Sequence, residues 1–322
     1  MIRFFIVMIC LVGSACSCDG ERRAKKAEAK ARVGANVGHS PLHQAAAERL
    51  DHSLLPGDRT LFSRLAYMPF QEARLRLGQS LTWQGDARLS FTVAGGPSLS
   101  LTEEAEIQDN PEKDALDVLV KNDGGFAQRI IYSNGMLYRR YSQGRFIAQR
   151  DLDGQRWDHA DQAFGLAAMG LDLVGHLIKL GPAKPADALG RNVICLPFEA
   201  SDKPLGFQVE TQPQRRSGAD LKLWRKGLKL EEVKGALCMD PKTGAVVSSR
   251  LSFRASRQVE SGQTAYLTMD VKAGYTSIGP PGPLIQAPED YLESLKRARR
   301  ARPATGFLDG GPVKATHLPD AG

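Results

Sequence analysis

Residues 157–180 read WDHADQAFGLAAMGLDLVGHLIKL, and this stretch decides the fold class. From Ala163 to Leu180 only Asp172, His176 and Lys179 are polar. Spaced by four and three, they share one narrow stripe of a helix, and the apolar face left over is far wider than an ordinary core-facing helix carries. Such a helix has to be covered over most of its circumference. Three polar groups inside a stretch at the lower length limit of a membrane span argue against insertion. The chain on both sides reads as β-strand. The expectation is a mainly β (α+β) fold, a sheet with an apolar helical cover.

Upstream, the pattern from Gln79 has period two. Leu81, Trp83, Ala87, Leu89, Phe91 and Val93 alternate with polar residues, and Gly95-Gly96-Pro97 breaks the run as a hairpin turn. Leu99, Leu101, Ala105 and Ile107 continue the alternation on the return strand as far as Asn110-Pro111. Further strands are expected at 116–121, 126–132, 136–141 and 145–149, with turns at Asp123-Gly124-Gly125, Asn134-Gly135 and Gln143-Gly144. Six strands joined by tight turns form an antiparallel meander, because parallel neighbours need long crossovers. One apolar face implies a cover on one side only. A short helix over 60–75 starts this region. Asp151 to Gly154 lacks the acidic pattern of a calcium loop and reads as a turn that caps the helix after it.

Downstream of Gly181-Pro182, strands are expected at 190–199, 205–211, 220–225, 230–239, 245–256 and 263–275, with Asp240 to Gly244 as a turn. Pro288 to Ala301 suits a short helix with basic residues in its C-terminal half. The last 20 residues have no pattern and read as disordered.

The N-terminus sets the compartment. Arg3, the apolar run Phe4 to Val12, and the small residues Gly13, Ser14 and Ala15 form a secretory signal of residues 1–15. Cys16 directly after them resembles the lipobox of bacterial lipoproteins, although Gly13 stands where that motif prefers Leu. Cys18 is the alternative site of lipidation. What this implies is a domain tethered to a membrane of the bacterial cell envelope, in the periplasm or at the outer surface. Residues 16–59 form the tether, and its ERRAKKAEAKAR segment is charged, Ala-rich and without apolar periodicity. Cys195 and Cys238 remain in an oxidising setting and are expected to form a disulfide, stabilising the fold by about 3–4 kcal/mol.

The net charge of +7 is concentrated near the two ends, so it is no nucleic-acid footprint. There is no GxSxG, HExxH, SxxK or phosphate-cradling loop. His39, His43 and His52 lack the carboxylate or cysteine company of a metal site. The expectations are no enzyme, no metal, no cofactor, and a monomer.

The order of elements resembles a family. The strand beginning Trp83-Gln84-Gly85, IIYSNGMLYRRYSQGRFIAQRDLDGQRW over 130–157, the helix, GRNVICLPF over 190–198, ALCMDPKTGAVVSSRLSF over 236–253 and YTSIGPPGPLIQAPED over 275–290 together resemble the LolA/LolB/LppX-like envelope lipoproteins. The resemblance covers about 80–290, with the polar 200–230 region departing from it. It implies a domain over 60–290, followed by a basic tail over 291–322. It further implies a curved antiparallel sheet forming an unclosed half-barrel roofed by helices, with an apolar cavity for a lipid or the acyl chain of a lipoprotein. Candidate lining residues are Trp83, Leu89, Phe91, Leu101 and Ile107 on the first hairpin. Phe164, Met169, Leu173 and Leu177 on the helix, with Leu267 and Met269 late in the chain, complete the set. The alternative is the same scaffold with a filled interior, working as an interaction protein.

Overall fold

The first hairpin forms where the alternation places it. Strand β1 is Leu81–Val93 and β2 is Ser98–Asn110, and they pair along almost their whole length, Leu81 opposite Asp109 and Thr92 opposite Ser98. The computed structural model describes residues 66–96, 98–152, 154–201, 225–259 and 262–294. The tether, Cys16, Cys18, the three upstream histidines, the expected strand at 205–211, all but Arg225 of the strand expected at 220–225, and the tail after Ser294 lie outside the described residues.

The meander continues as expected through β3 (Ala115–Asn122), β4 (Ala127–Ser133), β5 (Met136–Tyr141) and β6 (Phe146–Arg150). Asn134 and Gly135 both take positive φ, the two-residue turn whose backbone twist matches a right-twisted hairpin. After the helical segment come β7 (Ile178–Leu180), β8 (Lys184–Ala188), β9 (Arg191–Ala200), β10 (Lys229–Met239), β11 (Val246–Gln258), β12 (Thr264–Ile278) and β13 (Tyr291–Glu293).

One sheet takes in all of them, in the order β13-β6-β5-β4-β3-β2-β1-β12-β11-β10-β9-β7, with β8 on β9. Its centre is the antiparallel pair of β1 and β12, so the last long strand closes the gap between the two halves of the chain. The two end strands, β13 and β7, do not pair with each other, and the sheet is unclosed. Cys195 and Cys238 stand directly opposite each other on β9 and β10 and form the disulfide.

The helical segment differs from the expected single helix. It runs as α2 (Gln155–Phe164, after α1 at Phe70–Leu77), a 3-10 turn at Gly165–Ala168, α3 (Met169–Val174) and a second 3-10 turn at Gly175–Leu177. Glycines at 165, 170 and 175 lower the helix propensity of the stretch. Ile178–Leu180 then leaves as a strand against Phe198–Ala200. The polar stripe therefore dissolves: Asp172 is buried, His176 is half-buried, and Lys179 is exposed on β7 beside Glu199. Asp151 does cap α2, accepting from the Gln155 amide at 2.7 Å.

Covering on one side only also needs correction. The main core lies between the helical segment and the alternating apolar face of the sheet. A second cluster of Ala115, Ile131, Tyr138, Phe146 and Ala148 lies on the other face of β3–β6, closed by Ile285 of the C-terminal segment. The Tyr291 ring packs edge-on to Tyr138, with centroids 5.2 Å apart. Tyr291–Glu293, expected within a helix, pairs with β6 instead, because the exposed edge of that strand offers it a ladder of unpaired backbone groups.

Candidate functional site

Two places on the sheet merit a functional reading, one on each face. The first is the interface under the segmented cover, where the expected lining residues sit. Trp83, Leu89 and Ile107 are buried on the helix side of β1 and β2, as are Leu267 and Met269 on β12. Phe164, Met169 and Leu173 are buried on the cover above them, while Phe91, Leu101 and Leu177 are only partly buried. The Phe164 ring meets three others, Trp83 at 5.2 Å, Phe70 at 5.5 Å and Tyr275 at 6.2 Å between centroids. Leu166 lies over Gly85, and Gly170 approaches Leu251 so closely that a Cβ there would stand 2.7 Å from its Cδ2. The 3-10 turn at Gly165–Ala168 and α3 rest on the middle of the sheet, at β12 and β1, while α2 lies against β2, β3 and β4.

These side chains fill the interface. The hollow at its margin, lined by Tyr67, Trp83, Phe164 and Ala167 among others, holds about 20 Å³, the space of about one water. All the residues expected to line a cavity except Leu101 belong to this core cluster or pack against it, and an occupant between sheet and cover has to displace the cover.

Polar groups rim this core on the α1–α2 side. The Asp161 carboxylate accepts from the first amide of α1, Phe70 N, at 2.6 Å, doing the work of a helix cap from another element. Arg74 of α1 reaches Asp109 at 2.6 Å, and its guanidinium also lies 5.1 Å from the centre of the Trp157 ring. Burial outweighs the arginine at Asp109 and pushes its carboxyl up to about 6. Arg156 stacks over Tyr132 at 3.8 Å and pairs with Asp114. His159 on α2 is pushed down to about 4, by burial first and by the nearby Arg139 charge second, so its ring is neutral at physiological pH. His176 is shifted in the same direction by burial and by Arg225, whose guanidinium donates to the Asp172 carbonyl.

The second place is a groove on the face turned away from the helices. It holds about 800 Å³ and is lined by residues that alternate with the core ones, among them Gln84, Asp86, Glu104, Glu106, Lys121, Arg250 and Lys272. It crosses six strands from β3 to β10. A further hollow of about 530 Å³, lined by Arg88, Thr102, Lys234, Arg254 and Asp270, lies farther along the same strands. Acidic and basic side chains interleave along it, as in the Lys121–Glu104 pair at 2.8 Å. The sequence reading missed this groove. Its one signal is the charge carried on the polar positions of β1, β2, β11 and β12, which reads as a solvated face until the register is known.

Among the described residues no group of three or more His, Cys, Asp or Glu is placed to hold a metal ion, and no helix is long and apolar enough to cross a membrane.

No family model matches the chain, and no curated protein matches it. Solved structures do match. A DUF1329 family protein from Desulfovibrio piger is 9% identical, with 68% of this chain and 95% of that chain covered and a TM-score of 0.21. A LolA superfamily protein from Nitrosomonas europaea is 10% identical, covering 66% and 91%, with a TM-score of 0.18. An outer membrane lipoprotein-sorting protein domain from Vibrio parahaemolyticus is 9% identical, covering 68% and 95%, with a TM-score of 0.19. At these scores the functional reading rests on the chain's own residues.

Proposed function

We propose that this is a non-enzymatic lipoprotein of the bacterial cell envelope that holds the acyl chain of a lipid or of an acylated lipoprotein between the sheet and its cover. The lipidated residue is Cys16, or Cys18 in its place, and the domain acts as a monomer close to the membrane surface. The observation that carries the reading is the cover itself. From Ala163 to Leu177 it is apolar except for Asp172 and His176, it rests on an equally apolar sheet face, and with the more polar α2 before it the cover is made of four short helical pieces with glycine at 165, 170 and 175. A cover so divided can lift in parts without unwinding a long helix. Burying an acyl chain in its place returns about 0.8 kcal/mol per CH₂.

A second reading is favoured by a different observation. The interface is filled, while the large hollow lies on the polar face. In that reading the core is structural and the charged groove receives a partner protein. Native mass spectrometry and lipid extraction separate the two, on the full chain carrying Cys16→Ser and Cys18→Ser and purified from a bacterial envelope. A stoichiometric non-covalent lipid supports acyl binding. A lipid-free mass, unchanged after incubation with envelope lipids, supports the groove.

A further inference from the structure

Arg139 of β5 is a largely buried guanidinium with no counter-ion among the described residues. It shares the helix-facing side of its strand with Leu137, while Tyr138 points into the second cluster on the opposite side. It is 9% exposed, its Nε is buried without a hydrogen-bond partner, and no described carboxylate pairs with it. Other sheltered guanidiniums are matched: Arg74 with Asp109, Arg76 with Glu72, Arg156 with Asp114, Arg191 with Asp240. An unpaired, largely buried charge is costly to fold around, so one that persists points to an anionic partner that the described residues do not supply.

The surroundings suit such an anion. The guanidinium lies 5.6 Å from the centre of the Tyr141 ring, whose face stabilises a cation but leaves the N–H edge free to donate. Gln128, buried on the neighbouring strand, donates to the Tyr141 hydroxyl at 3.3 Å and holds that ring in place. His159 approaches from α2. Arg139 stands opposite Ile130 on one side and Ile147 on the other. Ile130 and Leu137 belong to the buried core, whereas Ile147 and Tyr141 are exposed, so the arginine marks the rim where the apolar interface meets water.

We propose that Arg139 anchors an anion subsite, taking the phosphate or carboxylate head of an amphipathic ligand whose acyl chain runs inward past Leu137 and Ile130. The inference rests on the acyl-binding reading above and names the class of ligand: acyl chains with an anionic head. A bidentate guanidinium–phosphate contact fixes the head at the rim and leaves the tail directed under the cover.

The test uses the full chain and three probes, dodecyl phosphate, neutral monolauroylglycerol and inorganic phosphate, titrated calorimetrically into the wild type and Arg139→Gln. Dodecyl phosphate is expected to bind the wild type about 10- to 100-fold more tightly than monolauroylglycerol, the range of a charge-assisted hydrogen bond. Arg139→Gln removes that margin, leaves monolauroylglycerol affinity unchanged, and melts no lower than the ligand-free wild type, since no described ion pair or hydrogen bond is lost and relief of the unpaired charge offsets the lost Tyr141 contact. Equal affinity for the two lipids, or a margin that survives the substitution, overturns the subsite while the acyl-binding reading stands. A lower melting temperature for the variant also overturns it, because Arg139 is then structural. Arginine-dependent binding of inorganic phosphate without either lipid keeps the subsite, makes free phosphate its ligand, and removes the acyl-binding reading. No binding of any probe overturns both.

Discussion

Gly235 is the residue at which a single methyl group should do the most damage. It lies within β10 with φ +126°, a conformation open in practice to glycine alone. A Cβ built there stands 1.9 Å from the Arg250 carbonyl oxygen, 2.7 Å from that carbonyl carbon and 3.1 Å from the Leu251 Cα. All three atoms belong to the backbone of β11, so no side-chain rotation relieves the clash. Gly235→Ala must either force β10 and β11 apart or flip the local backbone. The strained φ costs about 1–3 kcal/mol. Losing about two ladder hydrogen bonds adds about 1 kcal/mol each, giving about 3–5 kcal/mol in all. Gly95→Ala is the control: its φ is also positive, at +74°, but nothing lies within 4 Å of its Cβ, so only about 1 kcal/mol is expected. Urea unfolding of the two variants, followed by tryptophan fluorescence, reads the difference directly. Equal losses would refute the reasoning, because Gly235 differs from Gly95 in its crowding against the β11 backbone and in its more restricted φ.

Other predictions follow from the same structure. His159 refuses a proton until about pH 4, whereas the unfolded chain takes one near 6.5, so acid favours unfolding across that window. Relative to His159→Gln, the wild type should lose about 2.5 kcal/mol between pH 7 and 4.5. Urea midpoints at the two pH values check this, and the opposite-signed contribution of Asp109 cancels in the comparison. Cys195→Ser with Cys238→Ser opens a bridge with a sequence separation of 43 and should cost about 4 kcal/mol, read as a fall in the unfolding midpoint. Ala168→Trp puts an indole into an interface with about 20 Å³ to spare, and should destabilise by about 1–3 kcal/mol and abolish lipid uptake together. An unchanged melting temperature would mean that the interface holds room this packing does not contain.

Most of the sheet was legible because its alternation is strict. Along β1 and β12 the apolar and polar positions change places every residue, and a period of two admits one placement of faces. The cover was misread because periodicity reports which residues are apolar but not where glycines divide a helix. Gly165, Gly170 and Gly175 break the stretch, and Ile178–Leu180 finds an edge strand that no local pattern announces. The second cluster is written in IIY at 130–132 and MLY at 136–138, runs apolar on both faces as strands covered on both sides are, whereas a meander with one apolar face calls for a single cover. The groove was not legible at all. Asp86, Glu104, Arg250 and Lys272 meet only through pairing between strands nearly 200 residues apart, and their charges look like any solvated face until β12 is laid beside β1.

The account stands most directly on whether an acyl chain goes under the cover. Irradiation of the full chain with a fatty acid carrying a diazirine near its tail, followed by peptide mapping, answers this. The account predicts cross-links within 164–177 and on the helix-facing residues of β1 and β12, with competition by unlabelled fatty acid. Cross-links confined to the polar groove around Asp86 and Lys272, or none that unlabelled fatty acid displaces, would contradict it.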